Sequence, residues 1–353
     1  MAVEIVDFGP FIDGSNKLQV ASAVLESFKS IGFVYLVNHG LPQEHISRMF
    51  DWKQSNWRRT RGRVHIIEVG LRISSPSAPM TPTQHLAGYS AFGREKVLQF
   101  KATEDGEISF NERQKGHVIQ DAKESFEAGL EDYDDMPNIW YPDGVLPGFR
   151  EACMEFYWQC YETEKMILRA LALGFNLPEE YFLPFHSKAD NQLRLLHYPR
   201  QVYQSIPATD LEAQESSRIP KHSDFCSLTA SSFADLKLST DDVGGLEVED
   251  PHRPGSFIPV PPVPGSIVVN AGDFLMRWSN DTIRSTVHRV RAPVQKTDAH
   301  GLIPERFSIP YFCAADLSTI VDCIPGTWSE DRPKLYLPIS AREYIMERLA
   351  LNY

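Results

Sequence analysis

The chain lacks the long apolar runs and the paired cysteines that would assign it to a membrane or a disulfide-rich secreted class. No window approaches 18 uninterrupted apolar residues, so the sequence predicts no transmembrane helix. The first residues, MAVEIVDFGPF, show no basic start followed by an apolar stretch, so we expect no secretory signal. The five cysteines are widely scattered and fit no metal-binding spacing, as expected for reduced thiols in a cytoplasmic protein.

The chain also lacks an excess of positive charge. Its formal net charge is -12 and its sequence pI is about 5.4. Binding of nucleic acid requires a basic face, so we expect a partner that is neither nucleic acid nor membrane. Residues 58–72 hold five arginines, and a solvated loop is the simplest explanation of this one basic stretch. The length of 353 residues allows one large core with an added helical layer, or two domains.

Apolar periodicity divides the chain into a helical first half and a β-rich second half. Residues 41–54 show helical spacing, and residues 147–178 show the clearest helical pattern of the chain. From about residue 190, short β-rich runs alternate with Gly, Pro, Asn and Asp, which is typical of an antiparallel sandwich or barrel. Residues 56–86 combine an arginine cluster with a Ser/Pro/Thr-rich run, so we expect a mobile loop or lid there.

The stretch RIPKHSDFCSLT, residues 218–229, places His222 and Asp224 before a run that is typical of a buried strand. Side chains alternate along a strand, so these two residues face the same side. Chance alone supplies about one such pair in a chain with 11 histidines, and a surface pair is the alternative. His288 lies 64 residues after Asp224 in the predicted strand STVHRV. Two histidines and one carboxylate suit a non-haem Fe(II) oxygenase better than a structural zinc site.

A second group of polar residues follows on the next predicted strand, ERFSIPYF. Arg306 and Ser308 share one face of that strand, where a guanidinium and a hydroxyl could bind a carboxylate. The Arg-x-Ser pattern is weak alone, because residues 72–74 and 277–279 also match it. Tyr198, in LRLLHYP, offers a hydroxyl on a β-rich segment, with a structural strand-end tyrosine as the alternative.

At this point the chain resembles the isopenicillin-N-synthase-like group of 2-oxoglutarate/Fe(II)-dependent dioxygenases. The matching pieces occur in the order of the family and span nearly the whole chain, which is more specific than any single motif. They are VDF, GFVYLVNHG, GYSAFGREK, KESFEAG, HYP, HSDFCSLT, DDVGGLEV, PGSIVVNAGDFLMRWSN, STVHRV and ERFSIPYF.

The resemblance implies a mainly β fold with flanking helices, namely a double-stranded β-helix (jelly roll) core with an N-terminal helical layer. It implies four regions: an N-terminal dioxygenase region at 1–130, a long supporting helix within 131–189, the jelly-roll core at 190–320 and a C-terminal helical tail at 321–353. Two stretches, 56–86 and 230–240, depart from the family pattern. We expect the first to be loosely packed, and the second interrupts a predicted core strand.

The resemblance also assigns roles to individual residues. His222, Asp224 and His288 would bind the iron. The distal carboxylate of 2-oxoglutarate would bind Arg306 and Ser308, and Tyr198 would touch the same cosubstrate. Phe312 and, less strongly, Phe225 are candidates for the substrate pocket, whereas Asn38, His39 and Asn270 are interpreted as structural.

The implied cofactors are Fe(II), 2-oxoglutarate and O2. The cosubstrate would be converted to succinate and CO2 while a small-molecule metabolite, expected to belong to secondary metabolism, is hydroxylated, desaturated or closed to a ring. Two alternatives remain at this point. The chain could be an Fe(II)/O2 oxidase that needs no 2-oxo acid, of the isopenicillin N synthase or ACC oxidase type, or an inactive binding protein. The sequence leaves the substrate and the oligomeric state open.

Overall fold

The structure is a computed structural model, and it describes nine stretches of the chain. These are residues 2–60, 88–91, 96–98, 118–120, 123–131, 137–202, 217–233, 244–291 and 302–352. The prediction of a loop at 56–86 is wrong for residues 56–60, which are helical. Residues 61–86 lie outside the described residues, so the loose packing of that stretch stays a prediction.

The described residues form six α-helices. They are α1 (Gly9–Ile12), α2 (Lys17–Ser30), α3 (Gln43–Thr60), α4 (Phe149–Gly174), α5 (Asp273–Trp278) and α6 (Ala341–Asn352). The long helix predicted at 147–178 is confirmed as α4. Helix α3 runs six residues beyond the predicted end at 54, because no Gly or Pro interrupts KQSNWRRT. Within the described part of the chain, no helix is both long and apolar enough to cross a bilayer.

Eighteen strands are described. They are β1 (Ile5–Asp7), β2 (Phe33–Val37), β3 (Gly88–Ser90), β4 (Lys96–Leu98), β5 (Val118–Gln120), β6 (Glu124–Gly129), β7 (Gln192–Tyr198), β8 (Gln201–Val202), β9 (Ser217–His222), β10 (Leu228–Phe233), β11 (Leu246–Glu249), β12 (Phe257–Pro259), β13 (Ser266–Ala271), β14 (His288–Arg291), β15 (Leu302–Ile303), β16 (Arg306–Cys313), β17 (Ile320–Val321) and β18 (Ile339–Ser340).

Two of the sheets form the jelly roll. The major sheet has eight strands in the order β1-β2-β13-β10-β16-β7-β6-β3, and the minor sheet has four in the order β12-β11-β14-β9. Neighbouring strands are antiparallel except for the parallel pair β1–β2. Four strands from the first 130 residues thus extend the sheet that the later strands build. This is the double-stranded β-helix with flanking helices that the sequence predicts.

The core has two parts, one on each face of the major sheet. On the outer face, α2 and α4 pack against each other and against apolar side chains of the sheet, such as Leu193, Leu195 and Ile309. On the inner face, Leu196 and Val268 pack against side chains of the minor sheet. Each fully buried aliphatic side chain contributes about 1.5–3 kcal/mol relative to its exposed state. The alternation of outer and inner side chains aims every second residue of β7 and β16 into the jelly roll.

Strand β10 bears on the predicted disruption at 230–240. All six of its residues pair with β16 on one side, and the first five, Leu228–Ser232, pair with β13 on the other. Residues 230–233 therefore continue a central strand, and 234–243 lie outside the described residues. The strand that follows the two proposed ligands has both neighbours in place.

One buried carboxyl group lies on the outer face of the major sheet, away from the interior of the jelly roll. Glu164 of α4 is 1% exposed, and its Oε2 accepts a hydrogen bond of 2.5 Å from Nδ2 of Asn191. The same amide donates to the hydroxyl of Tyr311 over 2.8 Å. Burial raises the pKa of Glu164 to about 8, so the protonated form is favoured at neutral pH.

Candidate metal and cosubstrate site

The minor sheet brings three candidate metal ligands together, and we call them the metal cluster: His222, Asp224 and His288. His222 ends β9 and His288 begins β14, and the two residues are directly opposite each other in the antiparallel register. Asp224 follows two residues later, in the segment that connects β9 to β10. Strand pairing therefore joins residues that are far apart in the sequence.

The ligand atoms of the metal cluster converge. The candidate nitrogen and oxygen atoms all lie within 4.8 Å of one another. Oδ1 of Asp224 lies 3.9 Å from Nε2 of His222 and 3.8 Å from Nε2 of His288. Asp224 and His288 are buried, whereas the His222 side chain is 27% exposed, so the cluster is accessible from one side.

The far nitrogens of both imidazoles are held by the backbone. Nδ1 of His222 donates to the carbonyl of Pro220 over 2.8 Å, and Nδ1 of His288 donates to the carbonyl of Thr286 over 3.1 Å. A carbonyl only accepts, so in the neutral imidazole the proton lies on Nδ1 and the lone pair on Nε2. Such outer partners orient imidazoles that bind a metal.

Asp224 is oriented in the same way by two neighbouring strands. Its Oδ2 accepts hydrogen bonds of 2.7 Å from the hydroxyl of Thr229 and of 2.7 Å from Nδ2 of Asn270. Thr229 and Asn270 are opposite each other in the β10–β13 register. Both donors bind one oxygen and leave Oδ1 directed toward the two imidazoles.

Electrostatics keeps two members of the cluster, His222 and Asp224, in a metal-binding protonation state. Burial, followed by the neighbouring His288, lowers the pKa of His222 to about 4, so its imidazole is neutral at pH 7. Burial alone would raise the pKa of Asp224. The two imidazoles and the two hydrogen bonds outweigh burial, and the pKa lies below its ordinary value. A neutral imidazole and an ionised carboxylate are the forms that bind a metal.

A close backbone contact fixes the segment that carries Asp224. The amides of Gly272 and Asp273 donate to the carbonyls of Ser227 and Asp224 over 3.0 and 2.7 Å. A Cβ at position 272 would lie 2.1 Å from the carbonyl oxygen of Cys226, so only glycine fits. The segment that carries Asp224 is therefore packed directly on the N-terminus of α5.

The C-terminal helix α6 reaches the same segment from outside. Nη2 of Arg348 donates to Oδ2 of Asp273 and, over 3.4 Å, to the hydroxyl of Ser223, which lies between two members of the metal cluster. The Ser223 hydroxyl itself donates to Asp273 over 3.0 Å. These contacts restrain the back of the segment, on the side away from the imidazoles.

The major sheet presents the second predicted group, which we call the arginine cluster: Arg306, Ser308 and Tyr198. Arg306 begins β16 and lies opposite Tyr198 at the end of β7, while Ser308 lies two positions further along the same face. Their exposed fractions are 5%, 5% and 1%. Cζ of Arg306 lies 4.9 Å from the centroid of the Tyr198 ring. A guanidinium, a hydroxyl and a phenol at one place supply the hydrogen-bond donors that a carboxylate requires.

The two predicted pocket residues lie near the metal cluster. Phe312 is half-buried on β16, opposite Thr229, the residue that holds Asp224. Phe225 is half-buried and follows Asp224 directly. The Cζ atom of Arg194 lies 5.6 Å from the centroid of the Phe312 ring.

Arg194 belongs to a polar wall that sequence reasoning did not identify. The wall lies on β6 and β7, where Glu127 is 1% exposed and forms an ion pair of 3.0 Å with Nη2 of Arg194. Glu127 also accepts from Nε2 of Gln192 over 2.9 Å and from the hydroxyl of Ser125 over 3.1 Å. The β6–β7 register places these side chains on the same face as the arginine cluster. The signal was the alternation of polar residues in KESFEAG.

Asn270 is another residue whose role the sequence interpretation underestimated. The amide does more than end a strand, because it holds the carboxylate of Asp224. Thr229, which does the same, was not identified at all. An amide inside the apolar run SIVVNA was the available signal, because a buried polar group requires a partner.

The residues present fit Fe(II) and 2-oxoglutarate. Two imidazoles and one carboxylate with an accessible side form the donor set of non-haem Fe(II) oxygenases. A metal bound there would supply the activation of O2 and of the 2-oxo acid. The chain itself supplies oriented ligand atoms on the minor sheet and hydrogen-bond donors on the major sheet.

Known families match both halves of the chain. Residues 189–315 match the 2OG-Fe(II) oxygenase superfamily. Residues 3–56 match the N-terminal region of the non-haem dioxygenase in morphine synthesis. The first match includes the metal cluster and the arginine cluster.

Individual relatives agree with the family. The chain is 35% identical to a proline hydroxylase of Petromyces alliaceus, over 100% of both chains. It is 32% identical to a 2-oxoglutarate-dependent dioxygenase of a Dothideomycetidae species, over 100% of this chain and 98% of the relative.

A solved structure is also similar over nearly the whole chain. A full-length protein of Neurospora crassa, in complex with alpha-KG and thymine, aligns with a TM-score of 0.76 and 32% identity over 99% of this chain and 97% of that protein. These matches do not favour the oxidase alternative. The chain belongs to the family of non-haem 2-oxoglutarate-dependent dioxygenases, oxidoreductases that use Fe(II), 2-oxoglutarate and O2.

Proposed function

We propose that the metal cluster binds Fe(II), that the arginine cluster binds the distal carboxylate of 2-oxoglutarate, and that Phe312 and Phe225 border the substrate pocket. A small-molecule metabolite of secondary metabolism is oxidised there, by hydroxylation, desaturation or ring closure. The convergence of three ligand atoms within 4.8 Å, with each imidazole oriented through Nδ1, is the observation that carries this proposal.

The division of donors and acceptors between the two clusters supports the cosubstrate assignment. The metal cluster presents only lone pairs, whereas the arginine cluster presents N–H and O–H groups in a buried setting. A 2-oxo acid with a second carboxylate carries a 2-oxo acid end for a metal held by the metal cluster and a distal carboxylate for the arginine cluster. Burial of Arg306 strengthens its attraction for an anion, because the local dielectric constant is low.

The polar wall supports a small substrate with polar groups. Glu127 and Arg194 offer both signs of charge next to the aromatic face of Phe312. The similar proteins named above are a proline hydroxylase and a structure that contains thymine, both with small polar compounds in their names. The negative net charge of the chain further favours a small molecule over a nucleic acid as the substrate.

An anaerobic titration with Fe(II) and 2-oxoglutarate tests the assignment. We expect 2-oxoglutarate to bind only after Fe(II), and succinate to be released once O2 and a suitable small molecule are supplied. A panel of amino acids, cyclic amides and pyrimidines gives the first substrate screen. Failure of the wild-type chain to bind Fe(II) would support the inactive binding protein instead.

Oxygen uptake distinguishes the remaining oxidase alternative. With a substrate from the screen, we expect uptake to require 2-oxoglutarate and to match succinate formation in amount. Uptake at the same rate without the 2-oxo acid would contradict the proposed role of the arginine cluster.

A further inference from the structure

A second arginine, Arg218, lies beside the arginine cluster and has no assigned role. Its exposed fraction is 0%, although a charged side chain is rarely buried completely without a partner. It belongs to β9, the strand that ends at His222. The cost of burying this cation must be offset by some other group, or by a ligand.

Arg218 lies at an irregularity in the pairing of β9 and β14. The β9–β14 register pairs His222 with His288, Ile219 with Val290 and Ser217 with Arg291. Arg218 is the extra residue between two such pairs, as in a β-bulge, which commonly re-aims a side chain next to an active site. As a result, adjacent residues of β9 both reach the interior: Ile219 packs in the inner core, and Arg218 contacts Tyr198.

The hydrogen bonds of Arg218 are incomplete. Nη2 donates to the carbonyl oxygen of Pro304, whereas Nε and Nη1 are buried without a hydrogen-bond partner. Among the residues that the structure describes, no carboxylate forms an ion pair with it. The nearby guanidinium of Arg306 adds a like charge, and burial together with this charge lowers the pKa of Arg218 to about 10. Arg218 thus stays positively charged at neutral pH, with three N–H groups available for an acceptor.

Both arginines lie against the same aromatic ring. Cζ of Arg218 is 5.6 Å and Cζ of Arg306 is 4.9 Å from the centroid of Tyr198. A carboxylate offers about four lone-pair sites, more than one guanidinium fills. An anion between the two guanidiniums would offset both charges at once.

We propose that Arg218 is a second guanidinium of the cosubstrate subsite, which donates from Nη1 and Nε to the distal carboxylate of 2-oxoglutarate and sets the preference for dicarboxylic 2-oxo acids. This inference rests on the proposed function, since it assumes that the carboxylate binds at the arginine cluster. Arg218 is a binding and specificity residue, and it takes no part in metal ligation.

The test compares two 2-oxo acids on the full chain with Fe(II) under anaerobic conditions. 2-Oxoglutarate is the first, and 2-oxovalerate, with a methyl group in place of the distal carboxylate, is the second. For Arg218→Met, we expect the Kd of 2-oxoglutarate to rise about 10- to 100-fold, the effect of losing hydrogen bonds to a charged group. The Kd values of 2-oxovalerate and of Fe(II) should change by less than about 3-fold, because neither uses the distal carboxylate.

Thermal unfolding of the ligand-free protein separates binding from structure. Arg218→Met removes a buried charge without a partner, so its melting temperature should not fall below that of the wild type. The rise in melting temperature on addition of 2-oxoglutarate should shrink. Arg332→Met is the matched control, because Nη2 of Arg332 also donates to a backbone carbonyl, that of Asn280, far from the site.

Each outcome decides the proposal. A folded Arg218→Met that binds 2-oxoglutarate within about 2-fold of the wild type overturns it, and so does an equal loss for both 2-oxo acids. If the Met variant does not fold, Arg218→Lys decides: it keeps the charge but loses the planar fork, and we expect an intermediate, 2-oxoglutarate-specific loss. Unchanged affinity in the Lys variant overturns the proposal. If the wild type itself fails to bind 2-oxoglutarate, the proposed function is wrong. If Arg306→Leu loses 2-oxoglutarate binding and the Arg218 variants keep it, only the proposed role of Arg218 is wrong.

Discussion

The metal cluster on the minor sheet and the arginine cluster on the major sheet present opposite chemistry to the interior of the jelly roll. The minor sheet offers lone pairs, from the imidazoles of His222 and His288 and the carboxylate of Asp224. The major sheet offers donors, from Arg306, Ser308 and Tyr198. We propose that the metal cluster binds a cation and that the arginine cluster, together with Arg218 of β9, binds the anionic tail of the cosubstrate. Substitutions should therefore separate the two binding events.

The largest effect is expected at the minor sheet. Asp224→Ala removes a proposed metal ligand and its negative charge, and we expect Fe(II) affinity to fall by at least about 100-fold. Anaerobic titration with Fe(II) measures the loss. Asp322→Ala is the control, since it removes a surface carboxylate that is bound to Lys334. Affinity within about 3-fold of the wild type in the Asp224 variant would contradict the ligand assignment.

The next largest effect is expected at the major sheet. Arg306→Leu should raise the Kd of 2-oxoglutarate about 100-fold, because a buried charge-assisted hydrogen bond is lost, while Fe(II) affinity stays unchanged. The same anaerobic titration, run with saturating Fe(II), tests both statements. Arg169→Leu, which removes a surface ion pair with Glu180, serves as control. A parallel loss of Fe(II) binding would show that the two sheets do not act independently.

A smaller effect is expected from the residues that support Asp224. Asn270→Ala removes one of two hydrogen bonds to Oδ2, and we expect a loss of about 10-fold in Fe(II) affinity. Thr229→Val should act similarly, and the preference for 2-oxoglutarate over 2-oxovalerate should not change in either variant. A changed preference would contradict the assignment of these residues to the metal cluster, because it would show that they act on the binding of the distal carboxylate.

The smallest effect on the site is expected from Glu164, on the outer face of the major sheet. Glu164→Gln should leave Fe(II) and 2-oxoglutarate binding unchanged and alter only the pH dependence of stability. The folded-state pKa of Glu164 is about 8, above the ordinary value of 4.5, so the folded protein holds one more proton between these values. The free energy of unfolding should fall with rising pH across this window, by up to about 1.4 kcal/mol per pH unit. Denaturant unfolding at several pH values should show a flatter profile for the Gln variant; identical slopes would refute the assignment.

Much of the metal cluster could be predicted because its signal is local. His222 and Asp224 are two residues apart in a strand-like run, and His288 lies in a second strand with clear β-branched alternation. The supporting residues could not be predicted in the same way. Thr229 and Asn270 act on Asp224 through the register of β10 and β13, which residue types alone do not determine.

The interior surfaces show the same limit. Arg218 lies four residues before His222, so strand alternation alone could have predicted that its side chain faces inward. Its position in a bulge and its N–H groups without acceptors depend on the pairing of β9 with β14, which the sequence does not show. The Glu127–Arg194 pair likewise requires the β6–β7 register. The fold class, by contrast, follows from the spacing of short strands and from the ordered motifs of the family.

The pairing of His222 with His288 across two strands has a consequence for the stability of the fold. A metal held by both imidazoles would act as a clip that closes a long loop of the chain, because its ligands lie on strands distant in sequence. A ligand that binds only the folded state stabilises that state by mass action. The proposed Fe(II) would therefore stabilise the fold in addition to its role in the reaction. Removal of the metal by a chelator should accelerate unfolding, and the minor sheet should unfold first.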